Sequence, residues 1–156
     1  MKRMFATLLV LAGSVAALVA TAPPDFSGKW TFDPGQSKNV GMMAQGKITT
    51  VIHQSKSQFD IADSSVFGGQ AMEQHTVYDL DGKAVSNTSM MAGQATTHSH
   101  WEKNRLVSEW ESPGAIAGST VKRIETRYLS PDGKTMYVES GRPGKQTIVM
   151  VFTKSS

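Results

Sequence analysis

Apolar and polar residues alternate in short segments along most of this 156-residue chain. From residue 24 onward, segments rich in Thr, Val, Ile, Tyr and Trp recur about every ten residues, separated by Gly, Asp, Asn and Pro. No segment in this region keeps the apolar period of about 3.6 residues that an amphipathic helix shows. The pattern predicts ten strands: Gly28–Phe32, Lys47–Gln54, Ser57–Ala62, Glu73–Leu80, Lys83–Met90, Thr96–Glu102, Arg105–Glu111, Ser119–Leu129, Thr135–Ser140 and Gln146–Thr153.

Strands joined one after another by short turns form an up-and-down antiparallel meander. A meander of this many strands curls and closes, because closure removes its unpaired edges. We therefore predict an all-β fold: a single antiparallel β-barrel of about eight to ten strands that occupies residues 23–156 as one domain.

Two turns have a specific residue signature. Asp81-Gly82 is the pair that a two-residue type I′ turn requires, and it predicts a hairpin with Tyr78 opposite Val85. The segment Ser130–Gly133 suits a type I turn followed by a glycine with positive φ. Both turns support the meander.

Two connections are longer or looser than these turns. The segment Asp33–Gln45 is predicted to be either a plain loop or a loop with a single helical turn that carries Met42 and Met43. The segment Ser64–Ala71, which contains two adjacent glycines, is predicted to be a second flexible connection.

The hairpin at Lys103-Asn104 indicates which side chains point inward. If Glu102 lies opposite Arg105, the strand period of two places six side chains on one face. These are Thr97, Ser99, Trp101, Leu106, Ser108 and Trp110. Two tryptophans and a leucine identify this face as the inward one.

Alternation also divides the eighth strand into two faces. One carries Ile124, Thr126 and Tyr128, and the other carries Arg123, Glu125 and Arg127. Serine and threonine among inward aromatic residues favour a lined cavity over a solid core, with solvation near an open barrel end as the alternative. We predict that the cavity is lined by Trp101, Leu106, Trp110, Ile124, Tyr128, Met150 and Phe152.

Residues 1–22 have the three parts of a secretory signal peptide. Lys2 and Arg3 precede an apolar stretch, and Ala20-Thr21-Ala22 provides small residues for cleavage after Ala22 or after Ala20. The chain has no cysteine, which excludes a lipoprotein anchor, disulfides and thiolate-bound zinc. We expect a periplasmic or secreted protein without a membrane span in its mature form, with a retained apolar anchor as the alternative.

The charge balance argues against nucleic acid as a partner. The chain has 16 Lys and Arg residues against 13 Asp and Glu, a formal net charge of +3. Removing the signal peptide with Lys2 and Arg3 leaves 14 basic and 13 acidic residues, a net charge of +1. The remaining basic residues are scattered along the chain, so no electrostatic footprint for nucleic acid is expected.

One cluster could bind a metal ion. His98 and His100 share a face of the sixth predicted strand, and Glu109 lies opposite His98 in the predicted register. Two imidazoles and a carboxylate can bind zinc or iron, but this face is the outward one. No serine lies in a nucleophile motif. The pattern favours a binding protein without a cofactor over an enzyme.

Several motifs occur in order along the chain: Phe26–Trp30 with its Gly-x-Trp, Asp33-Pro34, Ser37-Lys38, Trp101 with Leu106-Val107, and Leu129–Lys134. This set resembles small exported bacterial lipocalin-like proteins of the calycin superfamily, which includes lipocalins and fatty-acid-binding proteins. The resemblance implies that Gly28 lets the chain bend at a closed barrel end, which Trp30 plugs. It also implies that a late basic residue, Arg127 or Arg142, packs across the indole. Ten strands suit the fatty-acid-binding branch, and eight suit lipocalins.

These expectations lead to one main hypothesis and two alternatives. The main hypothesis is an exported, monomeric β-barrel that binds a small apolar or amphipathic molecule in its interior. One alternative is a protein-binding module that uses the barrel's outer face or the loops Ser64–Ala71 and Gly114–Gly118. The other is an enzyme, either metal-dependent through His98, His100 and Glu109 or acting on a bound ligand.

Overall fold

Ten antiparallel strands and one short 3₁₀ helix make up the residues that the computed structural model describes, 22–89 and 93–155. The 3₁₀ helix, Gly41–Gln45, lies between β1 and β2. The strands are β1 (Gly28–Phe32), β2 (Lys47–Gln54), β3 (Gln58–Phe67), β4 (Gln70–Asp79), β5 (Val85–Ser89), β6 (Gly93–Glu102), β7 (Arg105–Pro113), β8 (Thr120–Leu129), β9 (Thr135–Gly141) and β10 (Ile148–Lys154). The predicted signal peptide, apart from Ala22, and Met90 at the end of a predicted strand lie outside the described residues.

The strands form one nearly closed sheet, in the order β4-β3-β2-β1-β10-β9-β8-β7-β6-β5. Strand β1 pairs with β10, and Thr31 lies opposite Thr153 in this ladder. The predicted antiparallel meander barrel is confirmed, with ten strands rather than eight. Across the described part of the chain, no helix combines the length and the apolar character needed to span a bilayer.

The predicted hairpin between the sixth and seventh strands is confirmed in its register. Glu102 lies opposite Arg105, and Trp101 lies opposite Leu106. Lys103 takes a positive φ of 58° to make the turn. At the turn after β8, the Gly133 N–H donates to the Ser130 carbonyl oxygen at 2.9 Å, and Gly133 has the predicted positive φ, here 68°.

Of the predictions for the two longer connections, the structure agrees with the first and contradicts the second. The single helical turn is present as the 3₁₀ helix, in which Met42 is exposed while Met43 packs against the core. The segment Ser64–Ala71 is mostly strand, so its prediction as a flexible connection was wrong. Strand β3 continues to Phe67 because its alternation does: Ser65 is buried and Val66 is exposed.

A seam between β4 and β5 interrupts the barrel wall. Among the described residues, no backbone ladder joins these two strands, so the hairpin predicted at Asp81-Gly82 was wrong. The Asp79 carboxylate instead accepts hydrogen bonds from the backbone N–H groups of Asp81 and Lys83, at 2.9 and 3.0 Å. These bonds stabilise a wider loop in place of the tight turn.

The Asn87 side chain bridges the seam. Its Oδ1 accepts from the Val77 N–H at 2.9 Å, and its Nδ2 donates to the Val77 carbonyl oxygen and to Thr97 Oγ1, both at 2.8 Å. The Asn87 amide thus makes with Val77 the two hydrogen bonds that a backbone partner would make in a ladder. The residue is only 6% exposed, so these bonds replace hydration that the amide has lost.

We expect Asn87→Ala to lower the free energy of unfolding by about 1–3 kcal/mol, because it leaves the partly buried backbone groups of Val77 without partners. Chemical denaturation measures this loss, and amide hydrogen exchange at Val77 should become faster. Thr88→Ala is the matched control, since Thr88 is the exposed neighbour on the same strand. Equal stability of the two variants would show that the bridge is dispensable.

One end of the barrel is closed by Trp30, which is 0% exposed. Its Nε1 donates to the Phe26 carbonyl oxygen at 2.8 Å. Gly28 takes a φ of 130°, and a Cβ at this position would lie 3.0 Å from the Lys154 Cε. The bend and the plug implied by the resemblance are both present.

The cation over the plug is a different residue from either candidate. Lys154 Nζ lies 5.2 Å from the centre of the Trp30 ring, whereas Arg127 pairs with Glu125 inside the barrel. The assignment of Arg127 or Arg142 to this role was therefore wrong. Strand β10 pairs directly with β1, so its last residue is the one that reaches the indole.

Candidate functional site

A partly open cavity of about 360 Å³ occupies the barrel interior between β2, β3 and β4 on one side and β8, β9 and β10 on the other. Met43 of the 3₁₀ helix also contributes to its wall. Alternation along each strand brings these side chains inward. The apolar part of the lining is Met43, Ile48, Phe67, Met72, Val138, Met150 and Phe152. The barrel is therefore hollow on this side.

The other part of the interior is filled. Ser99 and Ser108 face each other with their hydroxyl oxygens 2.8 Å apart, and Thr97 accepts from Asn87. The hydroxyl groups of Ser99, Ser108 and Thr97 thus have hydrogen-bond partners within the core, and they do not line the cavity. The polar, uncharged lining comes from other strands: Thr50, Ser65, Gln74 and Thr76.

A buried ion pair lies at the polar part of the cavity. Arg127 Nη2 donates to Glu125 Oε1 at 2.7 Å, and the Tyr78 hydroxyl donates to the same oxygen at 2.9 Å. The side chains of Arg127 and Glu125 are only 10% and 11% exposed. Asp63, across the cavity on β3, accepts a hydrogen bond from Thr50 Oγ1.

Burial and neighbouring charges set the protonation of these groups. Burial opposes ionisation of Glu125, but the guanidinium groups of Arg127 and Arg123 outweigh it and hold the pKa of Glu125 below its usual range. Burial likewise opposes the charge on Arg127, and Glu125 outweighs it, so the pKa of Arg127 is raised. Burial raises the pKa of Tyr78 and that of Asp63. Glu125 and Arg127 are thus both charged.

Two donors of the cavity lining have no partner among the described residues. The Nε atoms of Arg127 and Arg123 are buried and make no hydrogen bond there. The Arg123 guanidinium lies 4.4 Å from the centre of the Trp110 ring, which covers one of its faces. The interior beside the cavity thus contains two N–H groups that are unpaired within the described part of the chain, and such groups are costly to bury.

Solved structures with the same architecture decide the fold class. Human cRBP IV, a cellular retinol-binding protein, matches with a TM-score of 0.63 and 19% identity over 85% of this chain and all of that one. A Schistosoma mansoni fatty acid binding protein in complex with arachidonic acid matches with a TM-score of 0.63 and 13% identity, over 84% of this chain and 96% of that one. The fold is that of the calycin barrels.

A mutant of the fluorescent protein UnaG has a similar structure, with a TM-score of 0.65 and 11% identity over 84% of this chain and 96% of that one. No protein-family model matches the sequence, and no curated protein matches it in a sequence search. The likeness is therefore one of fold, and it confirms the barrel fold implied by the resemblance drawn from the ordered set of motifs.

The barrel places five of the predicted lining residues inside. Met150 and Phe152 line the cavity. Leu106 and Trp110 are buried in the filled part, and Trp101 packs against Phe26 with ring centres 6.1 Å apart. Leu106, Trp110 and Trp101 pack beside the cavity and do not form its wall.

Ile124 and Tyr128 lie on the outer face, so their assignment to the cavity was wrong. Ile124 is 53% exposed. Tyr128 stacks on Tyr137 with ring centres 5.0 Å apart, and its hydroxyl donates to Glu139 at 2.7 Å. The charged face of β8 points inward instead, because Glu125 and Arg127 neutralise each other there.

The barrel does not bring the three predicted metal ligands together. His98 and Glu109 are cross-strand partners as expected. However, His100 Nε2 lies 3.1 Å from Glu102 Oε1, on the exposed surface. Within residues 22–89 and 93–155, no three His, Cys, Asp or Glu side chains lie close enough together to hold a metal ion. The structure gives the metal-dependent alternative no site.

Proposed function

We propose that this calycin barrel binds a small apolar or amphipathic molecule in its internal cavity. The observation that carries the proposal is the hollow of about 360 Å³, whose wall is apolar over one part and polar over another. Small-molecule sites in proteins typically have volumes of about 300–1,000 Å³ and combine apolar walls with a few fixed polar groups. This cavity has that size and composition.

The apolar lining suits a flexible ligand. Met43, Met72 and Met150 come from three separate elements and share the wall with Phe67 and Phe152. Methionine side chains are unbranched and polarizable, so they adapt to ligands of different shape. The wall would therefore accept an aliphatic or isoprenoid chain, with burial of its surface as the main driving force.

The polar lining would fix one end of such a molecule. Arg127, Glu125 and Asp63 lie inside the barrel, and Arg127 holds a buried donor without a partner among the described residues. A ligand with a polar end would place it here and leave its chain against the methionines. Solved structures with this fold include a fatty acid transporter, fatty acid binding proteins and a retinol-binding protein, which supports a ligand of this kind.

We expect Ser65→Phe to weaken binding of a neutral probe such as N-phenylnaphthylamine about tenfold or more, because the new ring would occupy the cavity that Ser65 lines. Fluorescence titration measures the affinity. Ser64→Phe is the matched control, since the preceding residue is exposed on the outer face of β3. Thermal unfolding of both variants checks that they fold.

The result could overturn the proposal in two ways. If the probe binds the wild type and both variants equally well, it binds outside the cavity. A wild type that binds neither the probe nor any lipid from its host, as seen by native mass spectrometry, would not be a carrier.

We also propose that the protein is exported. The support is the segment before the barrel: Lys2 and Arg3, an apolar stretch and Ala20-Thr21-Ala22. Expressed in a Gram-negative bacterium, the chain should appear in the periplasm with the mass that cleavage after Ala22 or Ala20 produces. Full-length protein in the cytoplasm would refute export and leave the cavity proposal intact.

A further inference from the structure

The charged groups that line the cavity balance one another. Arg123 and Arg127 provide two positive charges, and Asp63 and Glu125 provide two carboxylates. The four groups act on each other electrostatically: the charge of Arg127 is felt by both carboxylates, and that of Arg123 by Glu125. With all four ionised, the cavity has no net charge.

Arg127 is already neutralised from within the chain. Its Nη2 contacts Glu125 Oε1 at 2.7 Å, and the Tyr78 hydroxyl completes the contacts of that oxygen. A ligand carboxylate placed beside Arg127 would be a third negative group next to two positive ones. Burying an uncompensated charge is costly, whereas burying a hydrogen-bonded neutral group is not.

We propose that the polar end of the ligand is uncharged, as in a long-chain alcohol, ester or amide, and that Glu125 is the residue that sets this preference. This inference rests on the proposed function. The guanidinium groups of Arg127 and Arg123 line the cavity and can donate to a hydroxyl or carbonyl oxygen, which accepts a hydrogen bond without adding charge. A hydroxyl could in addition donate to Asp63.

The protonation state of Asp63 also affects the net charge of the cavity. Burial raises its pKa, and a protonated Asp63 would leave the cavity with one net positive charge. A carboxylate ligand could then enter together with a proton. Mildly alkaline buffer favours the ionised forms of both Asp63 and a fatty acid, so the comparison of ligands is made there.

The test compares dodecanol with dodecanoate, which differ at the polar end, by displacement of N-phenylnaphthylamine. Wild-type protein should bind dodecanol about tenfold or more tightly, a difference of about 1.4 kcal/mol. Glu125→Gln removes one negative charge at nearly constant shape and should reverse the preference in favour of dodecanoate. Asp63→Asn should move it in the same direction, which provides a second variant if the first folds poorly.

Asp60→Asn is the matched control. It removes a carboxylate from the same strand as Asp63, but from the outer face, where Asp60 contacts His75 at 2.8 Å. Its ligand preference should equal that of the wild type. Dodecanoate bound as tightly as dodecanol by the wild type, or a preference that neither interior variant changes, would overturn this inference while leaving the cavity proposal standing. Failure of both ligands and of the probe to bind would count against the proposed function itself.

Discussion

Arg127→Met is expected to lower the free energy of unfolding by about 3–5 kcal/mol, the range found when one partner of a buried ion pair is removed. The loss of stability comes from Glu125, which stays in the interior without its partner. Glu125 would keep its contact with Tyr78 but lose the guanidinium that compensates its charge, at a position where its side chain is only 11% exposed. Methionine retains most of the volume of the arginine stem, so a cavity contributes little to the loss.

Chemical denaturation at neutral pH measures this effect. The double variant Glu125→Gln, Arg127→Met should regain most of the lost stability, because Glu125 is no longer a buried carboxylate without its partner. If the single variant has the same free energy of unfolding as the double variant, the interior tolerates Glu125 without Arg127, which would contradict the prediction. Arg105→Met is the control, since Arg105 forms its long 3.9 Å contact with Glu139 on the exposed outer surface.

Trp30→Ala is expected to cost about 3–5 kcal/mol, the range for truncation of a fully buried tryptophan. The indole is 0% exposed, donates a hydrogen bond to the Phe26 carbonyl oxygen and supports the stem of Lys154. Its removal opens the closed end of the barrel to water. Equilibrium unfolding in urea gives the free energy directly.

Two further variants separate the parts of this effect. Trp30→Phe keeps an apolar ring without the donor and should cost distinctly less than alanine. Lys154→Met removes only the cation over the ring and should cost no more than about 1 kcal/mol at this partly exposed position. A loss below about 1 kcal/mol for Trp30→Ala would show that the plug is not needed for stability.

Local sequence signals predicted the hairpins of this barrel well where the turn determined the register. At Lys103-Asn104, a two-residue turn and flanking alternation placed Trp101 opposite Leu106, and the structure agrees. The same kind of signal failed at Asp81-Gly82. There Asp79 binds the loop backbone and holds the two strands apart, an interaction that no pairing rule includes.

The inward face of β8 was missed for a different reason. Alternation shows which residues share a face, but hydrophobicity selects the inner face correctly only when the inner residues are apolar. Here Glu125 and Arg127 are inside because they neutralise each other. The register with β7 would have revealed them, since Leu106 lies opposite Arg127 and Ser108 opposite Glu125. The irregular loop between β7 and β8 left that register undetermined.

The pairing of the first strand with the last has a consequence for how the chain folds. Thr31 and Thr153 are 122 residues apart, while all other ladders join strands that follow one another in sequence. Adjacent hairpins form quickly because they close short loops, and the long loop between β1 and β10 closes slowly. We therefore expect the sheet to grow through local hairpins, and the β1–β10 ladder, which joins the β1–β4 part of the sheet to the β5–β10 part, to form late.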